Sequence, residues 1–155
     1  MLSQLARLSV EADGRYATAS ELQFLKDYLA TADQRMSAYE KIRDNEVQIM
    51  IDMETQSRLA DANVFQKGER DVTQVCRRDR KQLLQCSAAA MLIDDLDRLR
   101  DGLLLWQSTI VRALKDEQAS QVVCRVLPHV MQAHLTEAEA ELMKPVLRLN
   151  QALLN

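Results

Sequence analysis

Glycine and proline are scarce in this chain, three and two among 155 residues. Turns that require left-handed backbone or a fixed φ are therefore few, and helices should dominate. Cysteine is sparse as well. Cys76, Cys86 and Cys124 are odd in number and irregular in spacing, which argues against a disulfide framework. No Cys-x-x-Cys pair occurs, which argues against a structural zinc site. A basic surplus is missing too. The net charge is −3, so no strong attraction to nucleic acid is expected. No apolar run approaches the roughly 18 residues of a membrane span, so none is expected. Residues Met1 to Val10 have neither the apolar core nor the cleavage site of a signal peptide, so a cytoplasmic protein is the expectation. Nucleophile elbow, phosphate loop, His-Glu-x-x-His motif and paired carboxylates are all lacking, which points away from an enzyme.

What the chain does have is 47% hydrophobic and 28% charged residues, the balance of a globular domain able to bury a core. The apolar residues recur at helical spacing. Leu2, Leu5, Leu8 and Ala12 form one stripe, which stops at Asp13-Gly14. Three pairs have capping-box spacing: Thr18 with Glu21, Thr31 with Gln34, and Thr136 with Glu139. They predict helix starts ahead of Leu22, ahead of Met36 and at the last helix, which runs to about Leu154. The segment carrying Met36, Tyr39, Ile42, Ile49 and Met53 fades near Asn63, and Gly68 marks a break. A long helix is predicted from about Glu69, with Asp94-Asp95 near its end. A shorter one follows through Leu103 to Leu114, and another spans 117–134. Pro128 would kink or split that helix, and Pro145 falls deep in the last one. Strand signals are absent. The reading is all-α, one domain over 1–155, with a helical hairpin at 1–31 ahead of a body at 32–155.

One stretch concentrates chemistry. Cys76, Arg78 and Asp79 sit within four residues of a predicted helix, and Cys76 and Asp79, three apart, share a face. Arg77 and Arg78 beside the thiol are expected to lower its pKa. Arg78 has the planar fork that suits a carboxylate. The blander alternatives are a small buried cysteine, a solvated charge run from Arg77 to Lys81, and a surface ion pair for Asp79. Cys86 and Cys124 read as core packing. His129 and His134, five apart, lie on different helix faces and make a poor metal pair. Trp106, the only tryptophan, reads as core or as a subunit contact.

Two blocks carry a resemblance. The first is Gly14 to Glu46, GRYATASELQFLKDYLATADQRMSAYEKIRDNE, with an Arg-Tyr before the second helix, an aromatic-Leu-Ala-Thr stretch and a later Asn-Glu. The second is CRRDRKQLLQCSAAAMLIDD, residues 76–95. Together they resemble the phycobiliproteins, especially allophycocyanin subunits. The second block aligns without gaps to the family's pigment-bearing helix. Its Cys-x-Arg-Asp falls on Cys76, Arg78 and Asp79, and its Ala-Met-Leu on Ala90, Met91 and Leu92. The resemblance covers roughly residues 12–95, and the remainder follows the helix pattern alone.

The resemblance implies a globin-like phycobiliprotein fold with an N-terminal helical hairpin. It also implies a bilin site: a thioether at Cys76, a propionate at Arg78, and pyrrole N–H groups donating to Asp79. The departures matter as much. The loop from Phe65 to Arg70 is shorter than in light-harvesting members and lacks their Gly-Asn-x-aromatic turn. Aromatic residues expected after the aspartate are replaced by Gln82, Leu83, Cys86 and Ala89, and the family's Gly-Val-Pro turn is missing. In these respects the chain is most similar to the bilin biosynthesis-associated globins. The resemblance then implies a non-enzymatic globin that binds or hands over a bilin such as phycocyanobilin, covalently at Cys76 or reversibly, or that assists bilin biosynthesis. A second reading is a pigment-free interaction protein serving photosystem or phycobilisome assembly. A third is a haem-binding globin. The hairpin would form a homodimer or hetero-oligomer, with bilin-biosynthesis or photosystem-assembly proteins as partners, in the cytoplasm or at the periphery of the thylakoid membrane.

Overall fold

Residues 1–154 are described by a computed structural model. The chain is helical nearly throughout. The helices are α1 (Leu2–Glu11), α2 (Gln23–Asp44), α3 (Glu46–Ala60), α4 (Thr73–Ile93), α5 (Leu96–Leu99), α6 (Leu105–Ala113), α7 (Glu117–His134) and α8 (Glu137–Leu154). A π-helical turn, Arg100–Leu104, joins α5 to α6. The expected absence of strands needs a small correction. Gln66–Lys67 and Arg70–Asp71 pair antiparallel around Gly68, whose φ of 63° suits a residue without Cβ.

The Thr18–Glu21 box forms as expected. The Glu21 carboxylate accepts from the Thr18 N–H at 2.8 Å, and Arg15 ties the same carboxylate at 2.7 Å. The Thr31–Gln34 box does not form, which is a correction. Thr31 lies inside α2, and its hydroxyl donates back to the carbonyls of Asp27 and Tyr28 at 3.3 and 3.2 Å. A helix interior satisfies a threonine in this way without ending. The break falls instead at Asn45, whose side-chain amide donates to the Lys41 carbonyl at 2.8 Å as α2 gives way to α3. α4 likewise starts at Thr73, not near Glu69. Arg70 and Asp71 belong to the hairpin, and the Asp71 carboxylate accepts from the Thr73 N–H at 2.8 Å.

Two turns need left-handed backbone where the chain has no glycine to offer. Asp94 (φ 50°) ends α4 and Lys115 (φ 52°) follows α6. In each turn the next N–H bonds back five residues, Asp95 to Ala90 at 3.0 Å and Asp116 to Val111 at 2.9 Å. Arg35 secures the first turn from α2. It donates to the Met91 carbonyl at 2.5 Å and pairs with Asp94 at 3.1 Å, a cation at a helix C-terminus.

The core is built where α7 packs on α8 and α3, and α4 on α2 and α8. Its fully buried side chains include Phe65, Ile49, Met53, Leu84, Met91, Leu127 and Met143. Pro128 and Pro145 lie within α7 and α8, and neither splits its helix. The Thr136–Glu139 box opens α8. The Glu139 carboxylate accepts from the Thr136 N–H at 2.8 Å and binds Lys41 of α2 at 2.7 Å. α1 stands apart from this core and has no buried residue. It is pinned by Asp95, which accepts from the Ser3 N–H and hydroxyl at 2.7 and 2.8 Å.

Candidate functional site

Cys76, Arg78 and Asp79 line one wall of an open cleft of about 240 Å³ between α4, α6 and the start of α7. The cysteine is half-buried. Arg78 points outward and is 81% exposed at its side chain, paired with its neighbour Asp79 at 3.3 Å. Arg77 turns away to Glu54 of α3 at 2.8 Å.

The thiol does not behave as its neighbours in sequence suggested. Burial pushes its pKa above the ordinary value, and the nearby Asp116 carboxylate pushes the same way. The cations that oppose them are Arg80 and Lys67, not Arg77 and Arg78. The expected lowering by Arg77 and Arg78 is thus corrected, because each side chain is drawn off to a carboxylate of its own. A thiol so placed stays protonated near neutral pH and is a slow nucleophile.

The rest of the cleft comes from residues distant in sequence. Trp106, Gln107, Ile110 and Val111 of α6 face Cys76 across it, and Phe65 closes the inner end. Trp106 is 61% exposed, so it is a rim residue and not core. The π turn inserts an extra residue into the register just before Trp106. Two aromatic side chains therefore reach the cleft although the positions following Asp79 supply none.

Arg80 is the residue that sequence reading passed over. It is only 6% exposed, and its Nε donates to the Cys76 carbonyl at 2.8 Å. Its guanidinium carbon lies 4.1 Å from the centre of the Phe65 ring. Both terminal nitrogens are buried without a hydrogen-bond partner. Burial lowers its pKa. On the α6 side, the Gln107 side-chain oxygen is also buried and unpartnered. The sequence shows only that Arg80 lies four residues after Cys76 on the same helix face, not that it folds inward.

The outer end is strapped by Lys67, which pairs with Asp116 at 3.0 Å and donates to the Leu114 carbonyl at 2.9 Å. Cys124 lies deeper in the wall, where burial pushes its thiol up to about 11. Cys86 faces elsewhere and is half-buried. His134 bonds Asp52 at 2.8 Å and His129 is exposed. Among the described residues no cluster of His, Cys, Asp or Glu has metal-binding geometry, and no helix is long and apolar enough to cross a membrane.

No curated protein matches this chain. A family description does: that of the phycobilisome proteins, over residues 8–153. The match runs from the second half of α1 almost to the end of α8 and includes Cys76, Arg78, Asp79, Arg80 and Trp106 of the cleft. With its all-α fold and a match over nearly the whole chain, the chain belongs to the phycobilisome protein family.

Proposed function

We propose that this protein is a non-enzymatic bilin-binding globin that holds a linear tetrapyrrole reversibly in the cleft beside Cys76. The observation that carries the reading is the convergence of Cys76, Arg78 and Asp79 with Trp106 and Phe65 on one open cleft. Membership of a family whose members are generally non-enzymatic pigment carriers supports it. A tetrapyrrole is flat, apolar across its rings, acidic at its propionates and N–H bearing along its centre. The cleft offers each of these a counterpart. In this reading aromatic and aliphatic walls would take the rings, Arg78 would pair with a propionate and Asp79 would accept from N–H groups; all of these residues line the cleft.

Reversible binding follows from the thiol. Thioether formation adds the Cys76 sulfur to a vinylic carbon of the pigment and a proton to the adjacent carbon. That addition runs through the thiolate, and burial with Asp116 disfavours the thiolate here. The role that fits is carriage or hand-over of pigment. The hairpin would provide the contact with a second copy or another subunit, because the apolar stripe of α1 is only partly covered by the chain's own body.

The test is co-expression with enzymes that make phycocyanobilin, followed by absorbance before and after acid denaturation. The reading predicts coloured protein whose pigment is released on denaturation. Colour retained after denaturation and lost in Cys76→Ala would mean a covalent chromoprotein. A colourless, folded protein would favour the pigment-free interaction role. The exposed apolar rim of Val75, Trp106 and Leu114 gives that second reading its surface.

A further inference from the structure

Arg80 is a charged side chain that folding alone does not explain. An arginine left 6% exposed normally forms ion pairs or a full set of hydrogen bonds, because an unsatisfied buried donor is destabilising. Here only Nε is satisfied. The surrounding carboxylates are all engaged by other cations. Glu54 holds Arg58 and Arg77, Asp116 holds Lys67, and Asp79 holds Arg78. Phe65 fixes the guanidinium plane from below at 4.1 Å. The two free nitrogens therefore form a dry, unpaired fork buried in the cleft wall, one helical turn after Cys76. The unpartnered Gln107 oxygen belongs to the facing wall. The cleft lining thus includes an unmet donor pair from α4 and an unmet acceptor from α6.

We propose that Arg80 is the anchor of this cleft and binds a carboxylate of the ligand through both terminal guanidinium nitrogens, while Gln107 accepts a ligand N–H. The class of ligand is a flat apolar molecule bearing a carboxylate, and its identification with a linear tetrapyrrole rests on the pigment-binding reading above. Arg78, exposed and paired with its neighbour, is left to steer the ligand at the mouth. Arg80 sets specificity because a neutral ester in its place leaves the buried charge unmet.

The experiment compares acids with their esters. Wild-type protein and the Arg80→Met and Arg80→Lys variants are titrated with biliverdin, biliverdin dimethyl ester, 1-pyrenebutyrate and its methyl ester. Binding is followed by ligand absorbance or fluorescence, and folding by circular dichroism. The wild type is expected to bind each acid at least about tenfold tighter than its ester, as a charge-assisted fork requires. Arg80→Met should abolish that preference without weakening the ester. Arg80→Lys, which keeps the charge but not the fork, should restore only part of it. Equal affinity for acid and ester in the wild type overturns the proposal, as does a preference that survives in Arg80→Met or the failure of every probe to bind. If pyrenebutyrate shows the Arg80-dependent preference and biliverdin does not bind, the anchor stands and the pigment reading falls. If Arg80→Met does not fold, the wild-type acid-to-ester ratio and Arg80→Lys decide the matter.

Discussion

At the scale of single residues, the chemistry of the cleft is set by the surroundings of one sulfur and one guanidinium. Cys76 is held protonated by burial first and by Asp116 second. With burial and Asp116 both raising its pKa, the thiol stays protonated at pH 7. Alkylation of Cys76 by iodoacetamide should therefore be slow at neutral pH and accelerate steadily above pH 8. Asp116→Asn removes the carboxylate that opposes the thiolate. It should speed alkylation at pH 8 by about threefold, read by mass spectrometry of the Cys76 peptide. An unchanged rate would remove Asp116 from the account. Cys76, Arg78 and Asp79 were legible in the sequence because they lie within one helical turn, and a short-range motif survives any packing. Arg80 was not, because nothing local distinguishes an arginine that folds inward onto Phe65 from the charged residues around it. The thiol's shift was misread for the same reason. Adjacency in sequence suggested Arg77 and Arg78 as its neighbours, whereas Glu54 and Asp79 claim both of them.

At the scale of elements, caps decide where helices begin, and the sequence was readable where a further cation holds the boxed carboxylate, Arg15 on Glu21 and Lys41 on Glu139. Thr136 and Glu139 open α8, and Glu139 is only 4% exposed because Lys41 and Ser37 of α2 complete its hydrogen bonds. Burial works against its charge, yet the bonds from Lys41, Ser37 and Thr136 outweigh burial and draw the carboxyl down to about 2. A carboxyl lowered on folding contributes stability that is present above its ordinary value of 4.5 and is lost as pH falls toward 2. Acid unfolding should therefore steepen between those limits. Glu139→Gln should flatten that part of the curve and cost about 2 kcal/mol at pH 7, measured by urea unfolding at stepped pH. Thr31 shows why the same spacing misleads elsewhere. Gln34 has no partner helix to hold it in a box, and α2 simply runs through. The π turn at Arg100–Leu104 was not legible either, since an extra residue in the register leaves no mark in a pattern of apolar spacing. That turn nevertheless precedes Trp106 and Gln107 on the cleft wall.

At the scale of the whole molecule, α2, α3, α4, α7 and α8 share a buried core to which α1 contributes no buried residue. α1 carries Leu2, Leu5 and Leu8 with no buried residue, held to the body by Ser3 and Asp95. Exposed Leu29 and Met36 extend apolar surface along α2. Light scattering at high concentration should accordingly find a dimer or larger assembly. Replacing Leu5 and Leu8 with glutamine should shift it toward monomer with little change in helix content. A strictly monomeric wild type would contradict the hairpin as an interface. The all-α class was plain from period and composition, while the bounds of α2, α3 and α4 were not. The cleft was not, because its walls come from α4, α6, α7 and the Phe65 loop, and only the packed chain assembles them.

Reversible bilin binding in the cleft beside Cys76, as proposed, has a direct optical test. Trp106 is the only tryptophan and stands on the cleft wall, so its fluorescence reports on that site alone. Titration with phycocyanobilin should quench Trp106 saturably at one pigment per chain. An induced circular-dichroism band should appear in the visible, and both signals should persist in Cys76→Ala. Quenching no greater than that of the urea-unfolded chain, with no induced band, would contradict the account.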